Sequence, residues 1–117
     1  MKYKSGRNYL KTFRLRTGLT QDELGELLGY TDGGEVSHHE LSKGAPTLEV
    51  ALAYEIVLRS PISVLFAGVR ADIKRDIEAR LSKLETSLGH RSSKDRDAKI
   101  TAHKLMWLSQ RTKHLSS

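Results

Sequence analysis

The sequence contains no cysteine, which excludes disulfides and thiol chemistry and suits a reducing compartment. It also has no run of about 18 or more apolar residues, so it predicts no membrane-spanning segment. The N-terminal stretch MKYKSGRNYLK lacks the apolar core of a secretory signal. From these absences we expect a cytoplasmic protein that does not interact with a membrane.

Signatures of enzymes and of metal sites are also missing. There is no Gly-rich phosphate cradle, no nucleophile elbow and no clustered catalytic dyad. Glu35 and His39 are spaced to share one helix face, with His38 and Glu40 beside them, but a structural zinc site needs four suitable ligands and no further cluster lies nearby. We therefore predict neither an enzyme nor a metal or other cofactor.

The charge that is present is unevenly distributed. Residues 1–16 carry six basic residues and no acid, residues 17–68 carry eight acids against two bases, and residues 69–117 carry twelve bases against six acids. These segments sum to the net charge of +6. A basic end beside an acidic middle predicts an arm or helix that meets an anionic polymer. The alternative is a charged surface that only keeps the chain soluble.

Apolar residues recur at helical spacing almost throughout, and no stretch alternates long enough to predict a sheet. Thr20 with Glu23 fits a capping box, Thr47 is placed to cap a fourth helix, and Ser60 is the predicted N-cap of a fifth. Predicted turns lie at Gly18, Gly29, Gly44-Ala45-Pro46 and Ser60-Pro61. The second helix is predicted to bury Leu24, Leu27 and Leu28. Together these features predict a compact all-α domain over residues 1–68.

Beyond residue 68 the pattern becomes a single narrow apolar stripe. Its members are Val69, Ile73, Ile77, Leu81, Leu84 and Leu88. A stripe of this kind over residues 69–88 either packs back on the preceding domain or forms the seam of a dimer. Residues 89–97, GHRSSKDRD, include no apolar residue and predict a linker. Residues 98–117 form a basic tail with a partly helical pattern and no assigned role.

The order of residues in the first 67 positions is similar to that of a known family. The matching positions are Leu10, Phe13, Arg14, Gly18-Leu19-Thr20-Gln21, Leu24, Leu27, Leu28, Gly29, Val36, Glu40, Pro46, Leu48 and residues 60–66. They resemble the lambda-repressor-like (Cro-type, xenobiotic-response-element) helix-turn-helix DNA-binding domains over residues 8–67. The resemblance implies a five-helix domain with a C-terminal helical extension. In that domain residues 31–40, TDGGEVSHHE, would span the turn and the recognition helix.

The resemblance also implies which residues meet the DNA backbone. Thr20 and Gln21 would start a helix whose free N–H groups bind a phosphate, and Gln21 would also brace the recognition helix. Further phosphate attraction would come from Lys4, Arg7, Lys11 and Lys43. Alternatively, Thr20 and Gln21 only cap their helix.

Inside the domain, the resemblance implies an ion pair between Arg14 and Glu40 that fixes the recognition helix, although both residues could instead be solvated. Val36 would anchor that helix to the core. Base contacts are then expected from Gly33, Gly34, Glu35, Ser37 and His38.

Two departures from the family pattern affect this assignment. The segment from Gly29 to Val36 is one residue longer than is usual, and Gly33 and Gly34 stand where long polar side chains often contact bases. The start of the recognition helix is therefore defined to about one residue.

We expect a sequence-specific transcriptional regulator that binds double-stranded DNA as a homodimer and represses by occluding its operator. The alternative is a protein-interaction module, such as an antitoxin, whose partner protein binds residues 69–88 or the segment around Trp107. The acidic middle and the Gly33-Gly34 pair favour the module. The basic arm and Thr20-Gln21 favour the regulator.

Overall fold

A computed structural model describes residues 8–90 and 95–111, and every regular element in these ranges is an α-helix. The helices are α1 (Leu10–Thr17), α2 (Gln21–Leu27), α3 (Gly34–Glu40), α4 (Leu48–Leu58), α5 (Ile62–Leu65), α6 (Ala67–His90) and α7 (Asp95–Ser109). The predicted all-α class is confirmed. Lys4 and Arg7 lie outside the described residues.

Local hydrogen bonds account for the helix ends. Gly18 follows α1 with a φ of 83°, a left-handed conformation that glycine adopts without a Cβ clash. The Thr20 hydroxyl accepts from the Glu23 N–H at 3.0 Å, and the Glu23 carboxylate accepts from the Thr20 N–H at 2.8 Å, so the predicted capping box is present. The predicted cap at Ser60 is wrong, because Pro61 is the N-cap of α5 and Ser60 is buried.

The chain divides into two compact units, Met1–Lys74 and Arg75–Ser117. The division lies inside α6, whereas the sequence placed it near residue 68. α6 continues through His90 and α7 begins at Asp95, so helices occupy both ends of the segment predicted as a linker, residues 89–97. Charged residues are compatible with the exposed surface of a helix, which is why their clustering did not mark the helix ends.

The core of the first unit draws on all of its first five helices. Its buried members are Leu10, Leu24, Val36, Tyr54, Leu58 and Leu65, with Phe13, Leu28, Val50, Val57 and Phe66 packed against them. Leu27 is exposed, so its predicted burial is wrong. The Tyr9 N–H donates to the Leu65 carbonyl at 2.8 Å, which ties the start of α1 to α5. These contacts hold α1–α5 as one packed body.

In the second unit, Leu88 of α6 and Leu108 of α7 are buried, and Arg111, just after α7, is hydrogen-bonded to α6. Arg111 donates to Glu78 at 2.8 Å, to Glu85 at 3.2 Å and to the Leu108 carbonyl at 2.8 Å. Of the apolar stripe predicted along α6, Leu88 is buried within one chain, whereas Ile73, Ile77 and Leu84 are exposed.

Candidate nucleic-acid interface

α2 packs closely against the turn before α3 at two buried glycines. A Cβ on Gly25 would lie 2.0 Å from the carbonyl oxygen of Asp32, and a Cβ on Gly33 would lie 2.6 Å from the carbonyl carbon of Gln21. Real side chains cannot occupy such positions without moving backbone. Gly33 therefore lies against α2, and not on the exposed face of α3 where base contacts were expected.

Two carboxylates cap the start of α3. Asp22 Oδ1 accepts from the Gly33 N–H at 2.8 Å, and Asp32 Oδ1 accepts from the Gly34 N–H at 2.9 Å. The N-cap residue, Gly33, has no side chain, so these neighbours supply the side-chain acceptors at the start of the helix, for the N–H groups of Gly33 and Gly34. Their negative charge also complements the positive end of the helix dipole.

The end of α3 is joined to α1 by a hydrogen-bonded ion pair. Arg14 Nε donates to Glu40 Oε2 at 2.6 Å and Arg14 Nη2 donates to Glu40 Oε1 at 3.1 Å. The side chains of Arg14 and Glu40 are only 9% and 3% exposed. The hydrogen bonds that Arg14 donates to Glu40 are the main cause that raises the pKa of Arg14. Such a bidentate, desolvated pair fixes the orientation of α3.

Gln21 extends this network from the first residue of α2. Its Nε2 donates to Glu40 Oε1 at 3.0 Å, while Arg14 Nη1 donates to the Leu19 carbonyl at 3.0 Å. Gln21 thus braces α3, as the resemblance implied. Three helices meet at one carboxylate, and its oxygens accept three hydrogen bonds in all.

A second buried polar contact holds the last turn of α3. His39 Nδ1 lies 2.7 Å from the Tyr54 hydroxyl, and the two rings meet edge to face. Burial lowers the pKa of His39, while the nearby Glu35 carboxylate opposes that shift. Burial likewise raises the pKa of Tyr54. The pair is therefore neutral at pH 7, which lets it sit in the core beside Val36.

This buried histidine predicts a loss of stability in mild acid. The pKa of folded His39 lies below its ordinary value of about 6.5. As the pH falls below about 6.5, the His39 imidazole therefore becomes protonated in the unfolded chain before it does in the folded protein. The free energy of unfolding should therefore fall as the pH drops from 7.5 to 5.5. Urea titrations across this range should show a weaker fall for His39→Gln, whereas His38→Gln, at an exposed position, should retain it.

The outer side of α3 carries most of the expected base-contacting residues. Gly34, Glu35 and His38 are exposed, and Ser37 is partly exposed. The expected phosphate-contacting residues in the described ranges, Thr20, Lys11 and Lys43, are exposed, and Gln21 is half-buried. α3 thus has an inner side held by Val36 and His39 and an outer side rich in hydrogen-bonding groups.

Sequence reasoning missed Asn8, which ties the start of the described chain to the end of α3. Asn8 Nδ2 donates to the His39 carbonyl at 2.8 Å and to the Ser42 hydroxyl at 3.3 Å, and its Oδ1 accepts from the Leu10 N–H at 3.1 Å. An asparagine just before a predicted helix is a capping signal, but its contacts with α3 depend on the fold.

Within residues 8–90 and 95–111, no group of three or more His, Asp or Glu side chains is arranged to hold a metal ion. In the same ranges, no helix is both long enough and apolar enough to cross a bilayer. No protein-family model, curated protein or solved structure matches the chain.

Proposed function

We propose that the protein is a sequence-specific DNA-binding regulator in which α2, the following turn and α3 act as a helix-turn-helix unit. The observation that carries the proposal is the two-sided character of α3. Its inner side is fixed by Val36, His39 and the Glu40 network, and its outer side presents Glu35, Ser37 and His38 to solvent. A helix held this rigidly with polar groups outward suits insertion into a major groove.

The exposed side chains of α3 have the chemistry for contacts with base edges. Ser37 both donates and accepts, His38 donates from one ring nitrogen and accepts at the other, and Glu35 accepts from a cytosine amino group. Gly34 adds no side chain and lets the backbone approach the DNA closely. Recognition would rest on these few groups and on DNA shape.

Basic side chains outside α3 would supply sequence-independent attraction. Lys11 in α1 and Lys43 just after α3 are exposed, and the sequence adds Lys4 and Arg7 in the N-terminal arm. Such contacts position a protein on the phosphate backbone without distinguishing bases. The proposal assigns them affinity rather than specificity.

The regulator would act as a homodimer that represses by occlusion. Two copies related by a two-fold axis would place their α3 helices in successive major grooves, about one helical turn of DNA apart. Bound there, the dimer would block access of other proteins to the operator.

A second candidate function is a protein-interaction module such as an antitoxin. Two observations favour it. The Asp22 and Asp32 carboxylates already accept hydrogen bonds from N–H groups at the start of α3, and their negative charge repels an approaching phosphate. In α7, Trp107 is 58% exposed, which is typical of a residue that binds a protein partner.

Selection of bound sequences from random duplexes tests the first function. We expect a short enriched motif, present as two half-sites. On that motif, His38→Ala should weaken binding about tenfold, because a base contact contributes about 1–3 kcal/mol, while the dependence of affinity on salt should stay the same. Fluorescence anisotropy at several salt concentrations measures both.

The matched control is His103→Ala, which removes an exposed histidine of α7 and should leave DNA affinity unchanged. If micromolar protein fails to bind mixed duplexes even at low salt, the regulator proposal is wrong and the interaction module is favoured. Circular dichroism of each variant would establish that helical content is retained.

A further inference from the structure

α4 is apolar on all sides, although only one side faces the core. Its sequence, LEVALAYEIVL, has apolar residues at every position except Glu49 and Glu55. Helices that are apolar all round are normally covered all round. In the first unit, the core covers the side that carries Ala51, Tyr54 and Leu58.

The opposite side of α4 carries an uncovered line of large aliphatic residues. Leu48, Leu52 and Ile56 follow one another at intervals of four residues and are 71%, 42% and 76% exposed. Residues four apart lie one above another on a helix, so the three form one continuous stripe. A contiguous apolar stripe of this kind on a small domain marks a binding surface.

Opposite charges stand at the two ends of this stripe. Glu49 is exposed in the first turn of α4, and Arg59 is exposed just after its last turn. The other carboxylate of the helix, Glu55, is committed to the core side, where it accepts from the Ile62 N–H at 2.8 Å. The surface is therefore acidic at one end, apolar in the middle and basic at the other end.

This arrangement is self-complementary. When two copies of the helix pack antiparallel about a two-fold axis at Leu52, Leu48 of one copy meets Ile56 of the other, and the two Leu52 side chains meet at the axis. The same rotation sets Glu49 about one helical turn, roughly 6 Å along the axis, from the level of the partner's Arg59 at both ends, a gap that the long arginine side chain spans. Isologous interfaces require this kind of patch, because the same surface serves both subunits.

We propose that the outer face of α4 is a homodimer interface, formed by Leu48, Leu52, Ile56, Glu49 and Arg59 against the same residues of a second copy. The stripe along α6 is a weaker candidate for the seam, because Leu88 is already buried and Ile73, Ile77 and Leu84 are only 37%, 41% and 39% exposed. The dimer forms without DNA, and it provides the two-fold symmetry that the proposed regulator requires.

Charge reversal tests the pairing of Glu49 with Arg59. Sedimentation of the full chain without DNA should show a concentration-dependent dimer. Glu49→Arg and Arg59→Glu should each raise the dimer dissociation constant about tenfold or more, because each places like charges at both ends of the interface. The double variant Glu49→Arg/Arg59→Glu should restore dimerisation. A wild-type chain that stays monomeric, or single variants that dimerise normally, would overturn the proposal.

Cross-linking tests the position of the two-fold axis. Because the native sequence has no cysteine, a single introduced cysteine can form a disulfide only with its copy in a second chain. Packed helices lie about 8–10 Å apart and a disulfide spans Cα atoms up to about 7 Å apart, so only residues facing each other at the axis are bridged readily. Leu52→Cys should form a covalent dimer under mild oxidation. Ile77→Cys, at a position on α6 that is 41% exposed, should not. The reverse result would place the seam on α6. Neither test involves DNA, so failure here is distinct from failure of DNA binding.

Discussion

Replacing Gly25 by alanine should destabilise the protein by about 3 kcal/mol or more. The new Cβ would lie 2.0 Å from the carbonyl oxygen of Asp32, and 2.8 Å from its carbonyl carbon. These are backbone atoms, so relief requires the turn between α2 and α3 to move, unlike the small shifts that relieve ordinary overpacking at about 1–3 kcal/mol. Urea-induced unfolding followed by circular dichroism measures the effect.

Gly44→Ala is the matched control for this substitution. A Cβ on Gly44 meets nothing within 4 Å, and its φ is not in the left-handed region, so the exchange should change stability by less than about 1 kcal/mol. If Gly25→Ala changed the stability as little as Gly44→Ala, this result would contradict the close approach of α2 to the turn. In Gly25→Ala, the loss of stability should be accompanied by a rearrangement of α3, which heteronuclear NMR spectra would reveal.

The second large effect is expected at the ion pair. Arg14→Met removes the guanidinium and leaves the Glu40 carboxylate, 3% exposed, with Gln21 as its remaining side-chain donor. Stranding a buried charge in this way costs about 3–5 kcal/mol. The free energy of unfolding should fall by that amount at pH 7, and DNA affinity should fall with it, because the end of α3 loses its brace.

The double variant Arg14→Met/Glu40→Leu separates the loss of the pair from the stranding of one charge. Without either charge there is no carboxylate left to desolvate, so most of the lost stability should return. Affinity for the selected DNA should not return, because Gln21 then has no carboxylate to hold. A double variant less stable than Arg14→Met alone would contradict this account.

Some elements were predictable because their causes lie within a few residues. The capping box at Thr20 and Glu23 needs only a spacing of three, and Gly18 ends α1 because it adopts a left-handed φ. Apolar spacing was sufficient to predict helices throughout. It was not sufficient to separate buried Leu24 from exposed Leu27, because both fit a helical stripe and only the packing partners distinguish them.

The candidate site was predictable to a smaller extent. The pairing of Arg14 with Glu40 was expected only from the resemblance, since 26 residues separate them and no local pattern connects them. Gly33 was expected on the outer side of α3, yet it packs on α2. A Cβ on Gly33 would lie 2.6 Å from the carbonyl carbon of Gln21, so this close packing on α2 requires a glycine at position 33.

The sequence by itself determined the helical class, the helix caps at Thr20 and Thr47, and the polar character of Glu35, Ser37 and His38. Hydrogen bonds between near neighbours and apolar periodicity specify these features. Only the tertiary structure decided which way each residue faces, that His39 meets Tyr54, and that one side of α4 stays uncovered. Those outcomes depend on close packing between segments far apart in the chain, where differences of one atom decide whether a side chain fits.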